Sequence, residues 1–161
     1  LDNLRPVFDD GSTHADDEAF FAALPIASRF LEAAIYQRVA ETRARHIVLM
    51  AIAKAGKSLV LELPMGMPYR TALENTKADH ILFVIYPRGD DWTLNGIKLS
   101  NNTFEQRADL PISWAGLRDA ALENANGVKG AKFCHNARFI AVASDREAIV
   151  EMAEIAIKEI Q

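Results

Sequence analysis

The sequence has 161 residues, half of them hydrophobic and a quarter charged. This balance excludes a disordered or collagen-like chain and is typical of a globular domain. The formal net charge of −4 excludes a strongly basic protein that binds nucleic acid over its whole surface. The single cysteine excludes an intramolecular disulfide and a cysteine-rich zinc site, and we therefore expect a cytoplasmic protein.

The N-terminal third is predicted to be helical. Residues 17–55 are rich in Ala, Leu, Glu and Arg, and their apolar members recur at close to the helical period. Thr13 and Asp16 have the spacing of a helix capping box, and Gly56 is a plausible terminator. Pro25 lacks a backbone N–H group, so we expect a kink or a break there.

The middle of the chain is predicted to alternate strands with a short helix. Residues 57–63 and the apolar, β-branched run 80–86 are typical of strands. Residues 69–75 favour a short helix. A turn then leads into a strand over 92–99, which forms a hairpin with the preceding strand. The apolar parity of that second strand changes at Gly96, which predicts a β-bulge.

The C-terminal part continues with irregular residues 100–115 and a helix from Gly116 to Asn124. Two short strands are predicted over 131–135 and 138–143. Ser144 and Glu147 then form a capping box that opens a final helix.

These elements predict an α+β fold, in which a helical region (1–56) is followed by a mostly antiparallel mixed sheet with packed helices (57–161). We treat the chain as a single domain that is part of a longer protein, since it begins at Leu1 rather than at methionine. Uninterrupted apolar runs are far shorter than the roughly 20 residues of a membrane helix. No membrane association is therefore expected.

Two local arrangements could carry catalytic chemistry. His14 and Asp16 could hold a divalent metal, although acidic residues at this point also suit the first turn of a helix. Cys134 and His135 could be a nucleophile and its base, but neighbours in a strand point to opposite faces. A buried cysteine with an outward histidine is the simpler interpretation, and His135 with Arg138 would then project from a sheet edge.

A further group suggests anion binding. Residues 98–138 carry six basic and four acidic side chains, so an anionic ligand is expected in this half. Arg107 and Arg118 could contact phosphate, a helix start near Gly116 could offer N–H groups, and the Trp114 indole could stack on a base. The alternative places Trp114 in the core and pairs Arg118 with a neighbouring carboxylate. Spacing alone does not decide between them.

Several blocks together resemble the C-terminal half of the MYG family, whose members are similar to DHH-type metal-dependent phosphoesterases and include RNA exonucleases. The resemblance also takes in Asp16–Leu24 and Met65–Pro68 and covers nearly the whole chain. The block around Trp114–Asp119 is the most specific part. The other blocks are Ile81–Pro87, Phe104–Arg107, Leu110–Leu122, Gly127–His135 and Phe139–Ile140.

The resemblance implies a DHH-associated-domain-like fold and a substrate-gripping surface. In the family the metal ligands lie in an N-terminal domain, and this chain has no Asp-His-His string. A divalent metal, Mn or Mg, is therefore expected in the parent enzyme and none in this segment. Where the family usually has glycine, this chain has Arg138. The candidate residues for substrate or phosphate contact are Arg107, Trp114, Gly116, Arg118, His135 and Arg138.

Three functional hypotheses follow. The first is a non-catalytic, phosphate- and nucleic-acid-gripping C-terminal domain of a MYG-like metal-dependent phosphohydrolase or exonuclease that acts on RNA or nucleotides. The second is a binding or oligomerisation module, with a homodimer formed through the 17–55 region. The third is a self-sufficient hydrolase that uses His14 and Asp16 with a metal ion.

Overall fold

A computed structural model describes residues 15–100 and 103–160. The chain divides into two compact units, Leu1–Arg43 and Ala44–Gln161. The first helix, α1 (Ala15–Ala55), contributes residues to both. The division thus falls inside the predicted helical region and not at its end, because the last turns of α1 belong to the core of the second unit.

In the N-terminal unit, α1 continues through Pro25, so a break at this residue is wrong and a kink stays a prediction. One missing N–H group is outweighed by the strong helix formers on both sides. Asp16 and its acidic neighbours lie in the first turn, where negative charge meets the positive end of the helix dipole. Thr13 and His14 lie outside the described residues, and with them the predicted capping box and metal pair.

Large apolar side chains are exposed along α1 in this unit, and they point in several directions around the helix. Phe30 exposes 74% of its surface and Leu31 64%. A helix that is apolar on all sides is normally covered by other protein or by lipid. The exposed residues are Phe20, Phe21, Leu24, Ile26, Phe30, Leu31, Ile35, Tyr36 and Val39.

By length and composition, α1 also satisfies the criteria for a membrane-spanning helix, with a window of mean hydropathy 1.3. The expectation of no membrane association rested on the length of uninterrupted apolar runs. Arg29 and Glu32 interrupt the apolar stretch of α1, so that criterion did not detect this helix. Core helices of soluble proteins and signal sequences satisfy the same criteria.

The C-terminal unit is built on a five-stranded mixed sheet with the order β1-β2-β3-β5-β4. Strand β1 runs parallel to β2, and the other neighbours are antiparallel. The predicted α+β fold is confirmed. The strands are β1 (Val60–Glu62), β2 (Phe83–Arg88), β3 (Asp91–Gly96), β4 (Ala131–Cys134) and β5 (Ile140–Ala143).

Helices connect and cover this sheet. They are α2 (Arg70–Thr76), a 3₁₀ turn at Ile112–Trp114, α3 (Asp119–Asn126) and α4 (Arg146–Ile160). The helix expected from Gly116 thus begins at Asp119. Helix α4 is capped by Asp145, whose carboxylate accepts a hydrogen bond from the Ala148 N–H group at 2.8 Å. Ser144, the predicted cap, instead donates to Asp145.

The predicted bulge at Gly96 is wrong, because β3 ends at that residue. Gly96 donates its N–H group to the Phe139 carbonyl, and the next residue, Ile97, donates to the Leu82 carbonyl. Both hydrogen bonds continue the registers of the β2–β3 and β3–β5 pairs, so no extra residue is inserted at Gly96. The structure has a register irregularity elsewhere, between Ala131 and Phe133.

The two faces of the sheet are covered differently. On one face, Leu94 and Ala141 are fully buried with Met152 of α4 and Leu122 of α3. On the other face, the end of α1 and helix α2 cover β1 and β2 around Val84. This second face is less completely covered over β5 and β4, where the site described next is found.

Candidate functional site

The strand register shows which side chains share the less covered face. Tyr86, Thr93, Val142 and Phe133 are partners across β2, β3, β5 and β4, and partners across strands point to the same side. Thr93 is buried, whereas the other three are half-buried. Cys134, one residue on, points to the opposite face and is fully buried.

At the end of the β4–β5 hairpin, four side chains form what we call the hairpin cluster: Arg118, Phe133, His135 and Phe139. The Arg118 guanidinium lies 4.6 Å from the centroid of the Phe133 ring. His135 contacts Phe133 edge-on, with ring centroids 6.2 Å apart, and lies 4.5 Å from the Phe139 ring. The cluster therefore combines a cation with three accessible rings.

Backbone pairing places Arg118 in this cluster. The segment before α3 forms an isolated bridge between Arg118 and Phe133, and the Cys134 N–H group donates to the Leu117 carbonyl at 3.0 Å. Gly116 has a φ of +75°, a conformation that favours glycine. A Cβ atom there would lie 3.6 Å from the Asn136 side chain, so this segment runs close beside the hairpin turn.

His135 is held in a defined orientation. Its Nδ1 atom accepts a hydrogen bond from the Ala137 N–H group at 3.0 Å, so in the neutral ring the proton is on Nε2. The ring can therefore donate from Nε2 to an incoming acceptor while its face remains beside Phe139. Gly116, Arg118 and His135, all three predicted from sequence, are brought together.

Cys134 is not placed to act with His135. Burial raises the pKa of the Cys134 thiol to about 11, so it is protonated at neutral pH, and its side chain points into the core. The expected arrangement of a buried cysteine beside an outward histidine is confirmed.

Arg107 serves the fold. Its side chain is 9% exposed, and its guanidinium donates to the carbonyls of Ala78 and Ile81 at 2.8 and 2.9 Å. A further contact of 3.3 Å reaches the exposed Asp79 carboxylate. These contacts stabilise the turn before β2, so we assign Arg107 a structural role in place of the predicted phosphate contact.

Trp114 and Arg138 are also engaged within the protein. Trp114 is 1% exposed and packs in the main core, so it cannot stack on a ligand. Arg138 pairs with Asp109 at 2.8 Å and donates to the Leu110 carbonyl. Its φ of +55° is unusual for a residue other than glycine, which gives a physical reason why glycine suits this position.

A second concave surface lies near the hairpin cluster and was not predicted. This cleft has a volume of about 430 Å³, and Phe139 belongs to both features. No motif in the sequence brings its members together, since they come from four separate segments. It is lined by Tyr69, Arg70, Asn95, Gly96, Lys98, Phe104, Glu105, Gln106, Asp109, Ala137 and Phe139.

Within residues 15–100 and 103–160, no group of three or more His, Cys, Asp or Glu side chains is placed to hold a metal ion. The described residues therefore do not fit the divalent metal that the resemblance places in the parent enzyme. His14, one half of the predicted metal pair, lies outside the described part.

The described residues form an α+β domain that carries the hairpin cluster and the cleft on its surface, and within those residues no metal centre is found. The family model described as an uncharacterised protein family, UPF0160, and named for the MYG1 exonuclease, matches residues 1–157. The chain belongs to this family, and the predicted MYG membership is confirmed.

Relatives in this family are similar over different parts of the chain. The MYG1 protein of Chlamydia trachomatis is 30% identical over 159 residues, which cover 96% of this chain and 53% of that protein. The MYG1 protein of Saccharomyces cerevisiae is 32% identical over 114 residues, covering 67% of this chain and 33% of its own length. The human MYG1 exonuclease is 36% identical over 74 residues, covering 45% and 20%.

This chain thus spans about half the length of the MYG1 proteins of Chlamydia trachomatis and Chlamydia muridarum. No solved structure matches it.

Proposed function

We propose that this chain is the non-catalytic, substrate-gripping part of a MYG1-like hydrolase and that it binds single-stranded RNA or a nucleotide. The observation that carries the proposal is the Arg118 guanidinium stacked on Phe133 beside His135. A guanidinium can contact two phosphate oxygens at once. Aromatic and histidine rings supply the faces on which unpaired bases stack.

The surroundings of the cluster support an anionic ligand. Residues 98–138 carry six basic and four acidic side chains. Arg107 and Arg138 are used inside the fold, so Arg118 is the candidate cation that remains at the surface. The name exonuclease, which the human and mouse relatives bear, agrees with a nucleic acid as the substrate.

The cutting chemistry is assigned to another part of the whole protein. The described residues present no metal cluster, and the relatives extend well beyond the matched region. In this division of labour a DHH-type half would hold the divalent ion, and the present chain would position the substrate anion. The proposed setting is the cytoplasm.

The test measures binding of a fluorescent single-stranded oligoribonucleotide by anisotropy, with Arg118→Ala and the matched control Arg88→Ala. Arg88 is also an exposed arginine, at the end of β2. A lost charge-assisted contact is worth about 1.5–3 kcal/mol, so Arg118→Ala should weaken binding roughly 10- to 100-fold. The control should stay within about twofold of the wild type. Equal affinities of the wild type and Arg118→Ala would refute the proposal.

A second candidate function is self-association through the N-terminal unit, favoured by its exposed apolar helix. We propose that a second copy of the same helix covers it. Phe20, Leu24, Ala27, Leu31 and Ala34 lie alternately four and three residues apart, the spacing with which two helices interdigitate. The candidate interface is narrower than the predicted 17–55 region, because Val48 and its neighbours are buried in the second unit.

Sedimentation equilibrium tests this dimer. The double variant Leu24→Gln/Leu31→Gln should be monomeric at concentrations where the wild type is dimeric, and the polar-site control Gln37→Ala should remain dimeric. A monomeric wild type would contradict the proposal. So would a wild type that binds phosphatidylcholine vesicles through this helix, since lipid would then be its covering partner.

A further inference from the structure

The cleft beside the hairpin cluster has the dimensions of a small-ligand site. Its volume of about 430 Å³ lies within the roughly 300–1,000 Å³ typical of ligand pockets. It opens between the start of α2, the end of β3 and the segment around Phe104. A neighbouring depression of about 400 Å³ shares Tyr69, Arg70 and Asn95 with it. The two depressions therefore lie side by side.

Phe104 is a largely exposed aromatic residue that lines the cleft. The residue is 92% exposed. The Lys98 ammonium lies 4.8 Å from the centroid of this ring. A phenylalanine in this position contributes little to the core, but it offers an aromatic face beside a positive charge. Bases of single-stranded nucleic acids stack on such faces whatever their identity.

The charges around the cleft favour a phosphate-bearing ligand. Arg70 and Lys98 supply two cations at its rim. Of the two acidic residues, Asp109 is paired with Arg138 at 2.8 Å, which leaves Glu105 as the opposing charge. The rim is therefore positive on balance.

Asn95 adds a polar group that could read a base edge. Its Nδ2 atom donates to the Tyr86 hydroxyl at 2.9 Å, and this bond fixes the amide plane. The Oδ1 atom then faces away from Tyr86 and can accept a hydrogen bond from an exocyclic amine or a ring N–H group.

We propose that the cleft holds one nucleotide of the RNA strand, adjacent to the nucleotide held at the hairpin cluster. This inference rests on the proposed function. The base stacks on Phe104, while Arg70 and Lys98 contact the flanking phosphates. Phe139 connects the two subsites, because its ring contacts His135 and also lines the cleft.

Affinity measurements with the 161-residue chain test the cleft. Phe104→Ala should weaken binding of a short oligouridylate roughly 5- to 100-fold, the range for a lost stacking contact. The control Ile112→Ala removes an apolar side chain of similar exposure, 71%, from another loop and should have no effect. Lys98→Gln should reduce the slope of log K against log salt by about 0.7, which corresponds to one phosphate contact on a single strand.

Photocrosslinking supplies a positional readout. A 5-iodouridine placed at successive positions of the oligonucleotide should crosslink at one position to Phe104 or Tyr69 and at the adjacent position to Phe133 or His135. If Arg118→Ala weakens binding but Phe104→Ala and Lys98→Gln do not, the cleft proposal is overturned and the proposed function stands. If the wild type binds no RNA, the proposed function fails and the cleft assignment fails with it.

Discussion

Replacing Arg107 with alanine is expected to destabilise the C-terminal unit rather than to remove a ligand contact. The nearly buried guanidinium donates to two backbone carbonyls, those of Ala78 and Ile81. A hydrogen bond from a charged group contributes about 1.5–3 kcal/mol, so the two bonds together are worth about 3 kcal/mol or more. The contact with Asp79 adds little, because that carboxylate is 79% exposed and exposed pairs contribute about 0–1 kcal/mol.

Urea denaturation followed by circular dichroism measures this loss. With a slope of about 2 kcal/mol per molar urea, the midpoint for Arg107→Ala should fall by about 1.5 M. Asp79→Ala is the matched control, since it removes the exposed pair and leaves both carbonyl bonds intact. Its midpoint should shift by less than about 0.5 M.

Arg118→Ala provides the opposite expectation. An exposed cation–π contact is worth about 0.5–1 kcal/mol, so the midpoint should change little while RNA binding weakens. Arg107→Ala, assayed at low temperature where it is folded, should bind RNA within about twofold of the wild type. If Arg107→Ala kept wild-type stability and lost binding, the assignment of the two arginines would be wrong.

Three further predictions concern single residues. Arg138→Gly should be more stable than Arg138→Ala by about 1 kcal/mol in urea denaturation, because both variants lose the Asp109 pair and only glycine relieves the φ of +55°; equal stabilities would contradict the left-handed backbone. Cys134 should react with iodoacetamide at pH 8 on the order of 100-fold more slowly in the native than in the unfolded chain, since its thiol is buried and has a pKa of about 11. Rapid labelling of the native protein would show that the core around Cys134 opens to solvent. The hydrogen bond from the Ala148 N–H group lowers the pKa of Asp145. The stabilisation by the ionised Asp145 carboxylate is therefore present above about pH 4 and is lost as the pH falls through the lowered pKa. Below about pH 4, the unfolding free energy of Asp145→Asn should depend less steeply on pH than that of the wild type.

Local patterns predicted the local structure well. The short helix expected over 69–75 is found at Arg70–Thr76, and the strands expected over 80–86 and 92–99 pair as the expected hairpin. The opposite orientations of Cys134 and His135 followed from strand alternation alone. In each case the information lies within a few neighbouring residues.

The destination of long side chains could not be predicted in the same way. Arg107 and Arg118 are both predicted from sequence to contact phosphate, yet Arg107 reaches a carbonyl 26 residues away and Arg118 stacks on Phe133. Whether an arginine side chain is used inside the fold or remains at the surface depends on how separate segments of the chain pack together. The cleft has the same origin, since α2, β3 and the β4–β5 turn meet there only in the folded chain.

Helix α1 shows how a single rule can mislead. Pro25 predicted a kink or a break because it removes one hydrogen bond, and only the break is excluded by the continuous helix. The residues around it favour a helix strongly enough to continue through it. A penalty at one position therefore has to be compared with the propensity of the whole segment.

Phe139 belongs to the hairpin cluster and also lines the cleft, so we expect the two surfaces to be thermodynamically coupled. Substitutions on either side of a shared side chain seldom have additive effects, so a double-mutant cycle that pairs Arg118 with Phe104 should yield a coupling energy different from zero. A ligand long enough to contact both surfaces would bind with a more favourable free energy than the sum of the two separate contacts. Shortening it by one nucleotide would then lower the affinity by more than the loss of one independent contact.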